Sequence, residues 1–323
     1  MKAYVRRTYG APSVLSLEDV PTPDIQPKDV LVKVRAVSIN PLDWHILRGT
    51  PRVLVRPVTG WRRPKRQIIG ADVAGVIVAK GTAVTDFNIG DEVFADLFPH
   101  GMGAFAEYVR IPAKALARKP AEIGFAAAAA TPIAGLTAWH ALQQCAVLPG
   151  QSVLINGASG GVGTFAVQLA KAMGARVTGV CSARNLDMVR SLGADHVVDY
   201  QAEDFTRLDQ RFDVMVDNVC DRTPTDFKQI LRPGGRGVLV GFYSVGQILR
   251  QMFWTPLASR AGSRKFGPLN WKYKPEDLEH LARMFVKGTV KPVIDRAFGF
   301  EELPEAVAYV EGGRARGKVV VLV

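Results

Sequence analysis

Short apolar runs separated by proline and glycine fill the chain from residue 1 to about residue 120. Segments such as 29–39 (DVLVKVRAVSI) and 72–81 (DVAGVIVAKG) are rich in β-branched residues that alternate with polar or small ones. Runs of this length, punctuated by turn residues, are typical of strands in an all-β domain. We therefore predict a barrel-like β domain here, with further strands within 14–23, 90–96 and 103–112.

The pattern changes from residue 151 onward, where continuous apolar runs alternate with segments of helical period. The runs QSVLING (151–157) and RVTGVCS (176–182) flank GTFAVQLAKAMGA (163–175), which has apolar residues at i, i+3 and i+4. Strands without polar alternation are typical of a parallel sheet covered by helices on both faces. The second half is therefore predicted to be a doubly wound domain.

The final run, GKVVVLV (317–323), is an apolar strand that cannot remain unpaired. We expect it to return to the N-terminal β domain, which makes that domain discontinuous. The expected division is 1–122 with 266–323 for the first domain, and 123–265 for the second.

The longest apolar stretch, residues 123–142, is nearly long enough to cross a bilayer. Its many alanines are only weakly apolar, and Pro132, Gly135 and His140 interrupt it. Two short buried helices are expected there, and no membrane span.

Three cysteines, Cys145, Cys181 and Cys220, lie far apart and form no C-x-x-C pair. This spacing indicates neither a disulfide framework nor a structural zinc site, and it is consistent with a reducing compartment. The charged N-terminal residues MKAYVRR do not look like a secretory signal, so a cytoplasmic protein is expected.

The formal net charge of +11 is concentrated in two regions, 48–66 and 228–274, neither of which contains an Asp or Glu. Such regions attract polyanions, and the candidates are a phosphorylated cofactor, nucleic acid or an anionic membrane surface. Ordinary solvated surface charge is the alternative.

A glycine-rich turn, NGASGGVG (156–163), connects a predicted strand to a predicted helix. Ala158, Gly160 and Gly163 fit A-x-G-x-x-G, a variant of the dinucleotide-binding fingerprint. Gly160 would let the backbone approach a pyrophosphate, Gly163 would let the helix pack closely on the strand, and the helix N-terminus, including Gly161 and Val162, would face the phosphates. A merely structural turn is the alternative.

The end of the next strand indicates which nucleotide binds. NAD sites carry a carboxylate there to hold the ribose hydroxyls, but this chain has Cys181 and Ser182, followed by Arg184. A hydroxyl and a guanidinium bind a 2′-phosphate that a carboxylate would repel. Ser182 and Arg184 therefore favour NADP(H), with Tyr200 beside the same adenosine end, unless Arg184 is only a surface residue.

The strings AGLTAWHAL (134–142), VLPGQSVLINGASGGVGTFAVQLAKAMGARV (147–177) and SLGADHVVDY (191–200) closely resemble the medium-chain dehydrogenase/reductase superfamily. SINPLDWHILRG (38–49), GARVTGVCSARN (174–185) and GRARGKVVV (313–321) are most similar to its zinc-free quinone oxidoreductase branch, in the group of 2-alkenal reductases and chloroplast-envelope quinone oxidoreductases. The resemblance implies an α/β protein with a GroES-like β-barrel catalytic domain and a Rossmann domain that has a doubly wound parallel sheet.

The zinc alcohol dehydrogenases of the superfamily bind their catalytic metal through a cysteine, a G-H-E motif and a second cysteine. By the resemblance, these positions correspond here to Asn40, to Gly70-Ala71-Asp72 and to the vicinity of Ile133. One asparagine and one aspartate do not make a three-ligand zinc site with N or S donors. We therefore expect no metal.

The resemblance also suggests catalytic and cofactor residues. Asn40 is a candidate to line the substrate site, although Asn-Pro also favours a simple turn. His45 stands where relatives carry Tyr or Lys near the nicotinamide ribose, or it is a structural histidine, and Tyr243 is either a proton donor or a cleft-edge aromatic. The further cofactor candidates are Thr137, Asn218, Gly241, Phe242, Arg316 and Lys318.

Together these features predict a reductase that transfers hydride from NADPH to quinones or to the C=C bond of α,β-unsaturated aldehydes and ketones, acceptors that need only modest polarisation. A zinc-free alcohol dehydrogenase or carbonyl reductase is one alternative. A nucleic-acid-binding or interaction protein is the other. We also expect a homodimer paired through RGVLVGFYS (236–244).

Overall fold

The structure is a computed structural model that describes residues 1–241, 246–247, 255, 259 and 262–323. The chain divides into two compact units. Unit 1 comprises Met1–Leu136, Tyr273–Gly288 and Ile294–Val323, and unit 2 comprises Thr137–Lys272 and Thr289–Val293.

The strands among the described residues are, in chain order, β1 (Lys2–Arg6), β2 (Leu15–Asp19), β3 (Asp29–Ile39), β4 (Asp72–Lys80), β5 (Glu92–Asp96), β6 (Tyr108–Pro112), β7 (Ala117–Arg118), β8 (Ser152–Asn156), β9 (Arg176–Cys181), β10 (His196–Asp199), β11 (Phe212–Asp217), β12 (Leu231–Leu239), β13 (Lys265–Pro268), β14 (Ile294–Gly299) and β15 (Lys318–Leu322). The α-helices are α1 (Pro41–Arg48), α2 (Arg52–Thr59), α3 (Phe125–Ala129), α4 (Pro132–Gln144), α5 (Gly161–Ala172), α6 (Leu186–Ser191), α7 (Pro224–Ile230), α8 (Pro275–Val286) and α9 (Leu303–Glu311).

Unit 1 is built on a seven-stranded sheet in the order β14-β15-β3-β4-β5-β7, with β6 also paired to β3. Strand β15 lies inside this sheet, parallel to β14 and antiparallel to β3, with Val319 opposite Ile39. Pairing satisfies both edges of an apolar strand that would otherwise expose its backbone groups. The expectation that 317–323 returns to the first domain is confirmed.

The core of unit 1 lies where the long strands β3 and β4 place their valine and isoleucine side chains. Val32 and Ile77 are fully buried and pack with Phe105, Leu47 of α1 and Val307 of α9. The apolar run 123–142 forms α3, which packs on β3 and β4, and most of α4. The run therefore forms two short helices, as expected. Across the described residues, no helix is long and apolar enough to cross a bilayer.

Unit 2 contains a six-stranded sheet in the order β10-β9-β8-β11-β12-β13, and every pair in it is parallel. The order, renumbered within the sheet, is 3-2-1-4-5-6, which is the doubly wound dinucleotide-binding topology. Because the strands are parallel, their carboxyl ends share one edge of the sheet. The predicted fold class, a GroES-like β domain with a Rossmann-type sheet, is confirmed.

The units differ from the expected domain boundaries in three segments. Residues 123–136 belong to unit 1, because α3 packs on its sheet, and residues 266–272 belong to unit 2, because β13 pairs with β12. Residues 289–293 also join unit 2, where Gln168 bonds both backbone groups of Lys291 at 2.8 and 2.9 Å. Among the described residues, β12 is therefore internal and β13 is the outer strand on that side, while residues 242–244 of the expected dimer segment RGVLVGFYS lie outside the described residues.

Candidate functional site

The glycine turn between β8 and α5 assigns different tasks to its glycines. A Cβ on Gly163 would lie 2.1 Å from the carbonyl oxygen of Gly157, a distance that no side chain tolerates. A Cβ on Gly160 would lie 3.5 Å from that same oxygen, an ordinary contact. Gly163 is therefore required by the close approach of helix and strand, whereas the chain itself leaves room beside Gly160.

The N-terminus of α5 provides anion-binding groups beside that room. Gly160 is the N-cap residue and has no side chain to bond the amides that follow it. The first amides of a helix, here those of Gly161 and Val162, lack carbonyl partners within the helix and carry its positive dipole end. Ala158, fully buried, anchors the turn by donating its N–H to the Val180 carbonyl at 2.9 Å. This arrangement fits the pyrophosphate of a dinucleotide.

The end of β9 holds Ser182 through a residue that the sequence analysis missed. Asn185 is buried, and its amide nitrogen donates to Ser182 Oγ at 3.2 Å and to Ser159 Oγ at 3.0 Å. Ser159 belongs to the glycine turn, so one amide joins the turn to the predicted 2′-phosphate residue. Its position three residues after Ser182 was the available signal, because Asn in this position bonds local groups.

Tyr200 and Arg184 lie near Ser182. Asp199 pairs with Cys181 in the sheet, and the Tyr200 amide donates to the Cys181 carbonyl at 3.2 Å. The Tyr200 side chain is 53% exposed, and Arg184 is also exposed. The structure thus places Ser182, Arg184 and Tyr200 at one sheet edge, after the neighbouring strands β9 and β10.

A buried amide–carboxylate network lies at the ends of β8 and β11. Asn156 Nδ2 donates to Asp217 Oδ1 at 2.9 Å, and Asn218 Nδ2 donates to the Asn156 carbonyl at 2.9 Å. The same Asp217 oxygen accepts the amides of Val219 and Cys220. Burial raises the pKa of Asp217 despite these bonds. The network fixes Asn218, a cofactor candidate, at the carboxyl edge of the sheet.

The remaining candidates of unit 2 are less informative. Gly241 follows β12 at the same edge, with a φ of +90° that favours glycine. Thr137 is buried within α4. Phe242 and Tyr243 lie outside the described residues.

Unit 1 contains a buried polar cluster centred on Asp72, the first residue of β4. Its Oδ2 accepts from Ser38 Oγ at 2.6 Å, from Asn40 Nδ2 at 2.9 Å and from the Lys318 ammonium at 3.3 Å. Its Oδ1 accepts the Ile133 amide at 2.9 Å. Lys318 Nζ also donates to Asn40 Oδ1 at 2.5 Å. Asn40 is therefore held by Lys318 and Asp72, an association that the sequence analysis did not foresee.

Two further buried carboxyl groups interact electrostatically with this cluster. Asp43 is fully buried and accepts the Asn40 amide at 2.8 Å, and burial raises its pKa to about 7. Asp96 is also fully buried, and desolvation, with the nearby charge of Asp72, raises its pKa well above the usual range. The ion pair of Lys318 with Asp72 is the one charge-balanced pair that the described part of the cluster shows.

His45 and Arg316 lie away from that cluster's contacts. His45 is buried, stacks on Trp44 at 3.7 Å between ring centroids, and places Nδ1 3.1 Å from the Thr50 carbonyl. Burial lowers its pKa, which favours the neutral ring. Arg316 is exposed and its backbone amide donates to Asp295 at 3.1 Å. Lys318, two residues later, faces Asn40 and Asp72.

Two domain families match the chain. The family described as "Alcohol dehydrogenase GroES-like domain" matches residues 26–121, and that described as "Zinc-binding dehydrogenase" matches residues 192–321. The first match lies in unit 1, and the second spans much of unit 2 and the C-terminal part of unit 1.

Full-length relatives show the same relationship. The chain is 34% identical to a 2-methylene-furan-3-one reductase of Solanum lycopersicum, over 99% of this chain and 79% of that protein. It is also 34% identical to an NADPH-dependent alkenal/one oxidoreductase, chloroplastic, of Arabidopsis thaliana, over 99% of this chain and 79% of that protein. A quinone oxidoreductase structure from Coxiella burnetii superposes with a TM-score of 0.90 at 31% identity, covering 100% of this chain and 99% of that one.

One of these family descriptions implies zinc, so the donor set must be compared with it. The positions that resemble the zinc ligands are Asn40, Asp72 and the vicinity of Ile133, and all three meet in the cluster described above. The Lys318 ammonium contacts Asn40 and Asp72. It repels a metal cation, and it bonds the oxygen atoms that such a cation would need. No group of three or more His, Cys, Asp or Glu suited to a metal occurs within the described residues. The residues present do not fit a catalytic zinc ion.

Proposed function

This chain belongs to the medium-chain dehydrogenase/reductase superfamily, in its quinone oxidoreductase branch, and we propose that it is a zinc-independent reductase that uses NADPH. Its acceptors are quinones or the C=C bond of α,β-unsaturated aldehydes and ketones. The reductases and oxidoreductases among its full-length relatives support this assignment of reaction class.

The observation that carries the zinc-independent part is the ammonium of Lys318 in the metal-ligand positions. A fixed, fully bonded cation cannot exchange ligands with a substrate oxygen as a metal does. Acceptors whose conjugation already makes them electron-poor need less polarisation of their carbonyl group. A cluster that holds an ammonium instead of a metal is therefore consistent with acceptors that need little polarisation.

The choice of NADPH rests on the edge of unit 2. When bound, the nicotinamide cofactor supplies the hydride, and the protein contributes binding and orientation. The α5 N-terminus receives the pyrophosphate, while Ser182 and Arg184 bind the 2′-phosphate by charge-assisted hydrogen bonds. Asn185 keeps the Ser182 hydroxyl oriented through its bond of 3.2 Å. Tyr200, Asn218, Thr137 and Gly241 complete the proposed cofactor set, together with Phe242 and Arg316.

The proposed roles in unit 1 are positional. Asn40 and His45 remain candidates to line the substrate site, but the Asn40 amide is already oriented by Lys318 and Asp72. A donation from Asn40 to an acceptor carbonyl would use its remaining amide hydrogen. Lys318 acts through Asn40 and Asp72 rather than by contact with the cofactor. Tyr243 is retained as the candidate proton donor.

The test compares three acceptors at equal concentration with the purified protein and NADPH: an alkenal, a naphthoquinone and a saturated aldehyde. Oxidation of NADPH by the alkenal or the quinone, with little by the aldehyde, is the expected result. Preference for the aldehyde would support a carbonyl reductase instead, and inactivity with all three would refute the proposal. Activity should survive exhaustive dialysis against a chelator, and a loss that zinc restores would overturn zinc independence.

Two further expectations extend this proposal. We propose a homodimer in which β13, the outer strand on the β12 side of the sheet among the described residues, pairs with its symmetry mate. Size-exclusion chromatography with light scattering would test it. We also propose a cytoplasmic location, supported by three buried cysteines, none of which is part of a disulfide. Fractionation of cells that express the chain would test this.

A further inference from the structure

Helix α2 in unit 1 turns its apolar side outward. The 3.6-residue turn of this helix places four apolar residues on its exposed side: Val53, Leu54, Pro57 and Val58. Val53 is 59% exposed, Leu54 36% and Val58 80%, and α2 has no fully buried residue. Surface helices of globular proteins normally bury this kind of stripe.

The inner side of α2 is held by polar contacts with Tyr9. The Tyr9 hydroxyl lies 2.7 Å from Thr59 Oγ1 and donates to the Gly60 carbonyl at 2.6 Å. The Arg56 guanidinium lies over the Tyr9 ring, 4.7 Å from its centroid. Val55 adds an apolar contact with the core of the unit. The helix is thus anchored without its outward stripe, which is available to an external partner.

The segment that follows α2 adds an exposed aromatic side chain and many cations. Trp61 is 63% exposed. No Asp or Glu occurs between Asp43 and Asp72. The exposed basic residues are Arg52, Arg62, Arg63, Lys65 and Arg66, and none of them forms an ion pair with another described residue. We call residues 52–66 the basic apolar surface.

A second copy of this chain is a poor occupant of the surface. A two-fold interface would place the same uncompensated cations against each other, and like charges across an interface oppose association. Nucleic acid would match the cations, but it offers nothing to the aliphatic stripe, and one tryptophan makes a small stacking platform. An anionic bilayer matches both features, with phosphates for the cations and the acyl boundary for the stripe.

We propose that the basic apolar surface docks this protein on anionic lipid bilayers. The stripe of α2 and Trp61 enter the headgroup boundary, and the arginine and lysine side chains bind lipid phosphates. Quinones and alkenals are apolar enough to partition into bilayers, so a docked reductase would meet them at high local concentration. The docking itself does not depend on the proposed reductase activity, since it is measured without cofactor or acceptor.

The experiment uses the full-length protein and sucrose-loaded vesicles of phosphatidylcholine, alone or with one-third phosphatidylglycerol. We expect sedimentation with the anionic vesicles only, weakened by salt. Val58→Asp should lower the partition coefficient by about 10-fold or more, because a charge replaces an aliphatic group that enters the headgroup boundary on docking. Arg62→Glu with Arg63→Glu should lower it further, since each lost cation weakens binding by about 5-fold. Trp61 emission, isolated by difference from Trp61→Phe, should shift to shorter wavelength.

Matched controls come from elsewhere in unit 1. Ile89 is 64% exposed outside the surface, so Ile89→Asp should leave vesicle binding unchanged. Lys28→Glu with Lys33→Glu reverses two exposed charges away from it and should have a small effect only. Absence of binding to anionic vesicles, or binding that Val58→Asp and Ile89→Asp alter equally, would overturn the proposal. Binding to a single-stranded oligonucleotide or an acidic protein but not to vesicles would equally overturn it.

Discussion

Replacement of Lys318 by methionine is the sharpest test of the buried cluster in unit 1. Lys318→Met keeps an unbranched side chain, shorter by one atom, but removes the ammonium, which leaves the fully buried Asp72 carboxylate without its cation. At a separation of 3.3 Å and an effective dielectric constant of about 20, the lost attraction is roughly 5 kcal/mol. Removal of one partner of a buried pair typically costs about 3–5 kcal/mol, which agrees.

For a unit of this size we expect the melting temperature to fall by about 2–4 °C per kcal/mol, or roughly 10 °C in total. Thermal unfolding followed by circular dichroism measures the change. The double variant Lys318→Met with Asp72→Asn should recover at least half of the loss, because no unpaired charge remains. The Ser38 hydroxyl and the Asn40 amide can then reorient toward the new amide.

Arg190→Met is the matched control, because it removes a cation from the exposed pair with Asp187. Exposed pairs contribute little, so the melting temperature should hardly move. The reasoning is refuted if Lys318→Met has the melting temperature of the wild type, or if the double variant is no more stable than Lys318→Met.

The remaining predictions concern the cofactor edge and the pH response. Gly163→Ala should fail to fold stably, because its Cβ would lie 2.1 Å from the Gly157 carbonyl oxygen. Gly160→Ala should fold but bind NADPH more weakly in a fluorescence titration. Equal losses of stability in the two variants would contradict this. Arg184→Ala should weaken the binding of NADPH by about 10- to 100-fold and that of NADH little, since a charge-assisted bond to phosphate is lost. Equal losses of affinity would show that Arg184 does not bind the phosphate. Burial raises the pKa of Asp43 to about 7, so its folded carboxyl keeps a proton that the unfolded chain releases above about 3.9. The contribution of this group to stability is therefore complete at low pH and is lost as the pH rises toward 7. Asp43→Asn should flatten that part of a plot of the urea midpoint against pH. An unchanged slope would contradict the raised pKa of Asp43.

Most of the fold could be predicted from local patterns. The strands of both units follow from runs of β-branched residues, and the glycine turn follows from its place between a strand and a helix. Even the return of β15 could be predicted, because an apolar strand requires two paired edges. These features depend on periodicity and turn chemistry, which neighbouring residues determine.

The rest depends on contacts between distant residues. Strand β13 was missed because KFGP is short and contains glycine and proline, and only its pairing with β12 makes it a strand. The association of Lys318 with Asn40 joins residues 278 positions apart, which no local pattern reveals. The bond of Asn185 with Ser182 is local, but its bond with Ser159, 26 positions earlier, is not revealed by any local pattern.

The internal position of β15 has a consequence for biosynthesis. Every strand of unit 2 precedes β15 in the chain, so the nucleotide-binding sheet can be complete while the sheet of unit 1 still lacks a strand between β14 and β3. During synthesis, which proceeds at about 5–20 residues per second, residues 36–39 of β3 lack a partner on one side until residues 318–322 are made. The same residues deliver Lys318 to Asp72. Completion of the sheet and neutralisation of its buried carboxylate are therefore one event, and a ribosome that stalls before Lys318 leaves both undone.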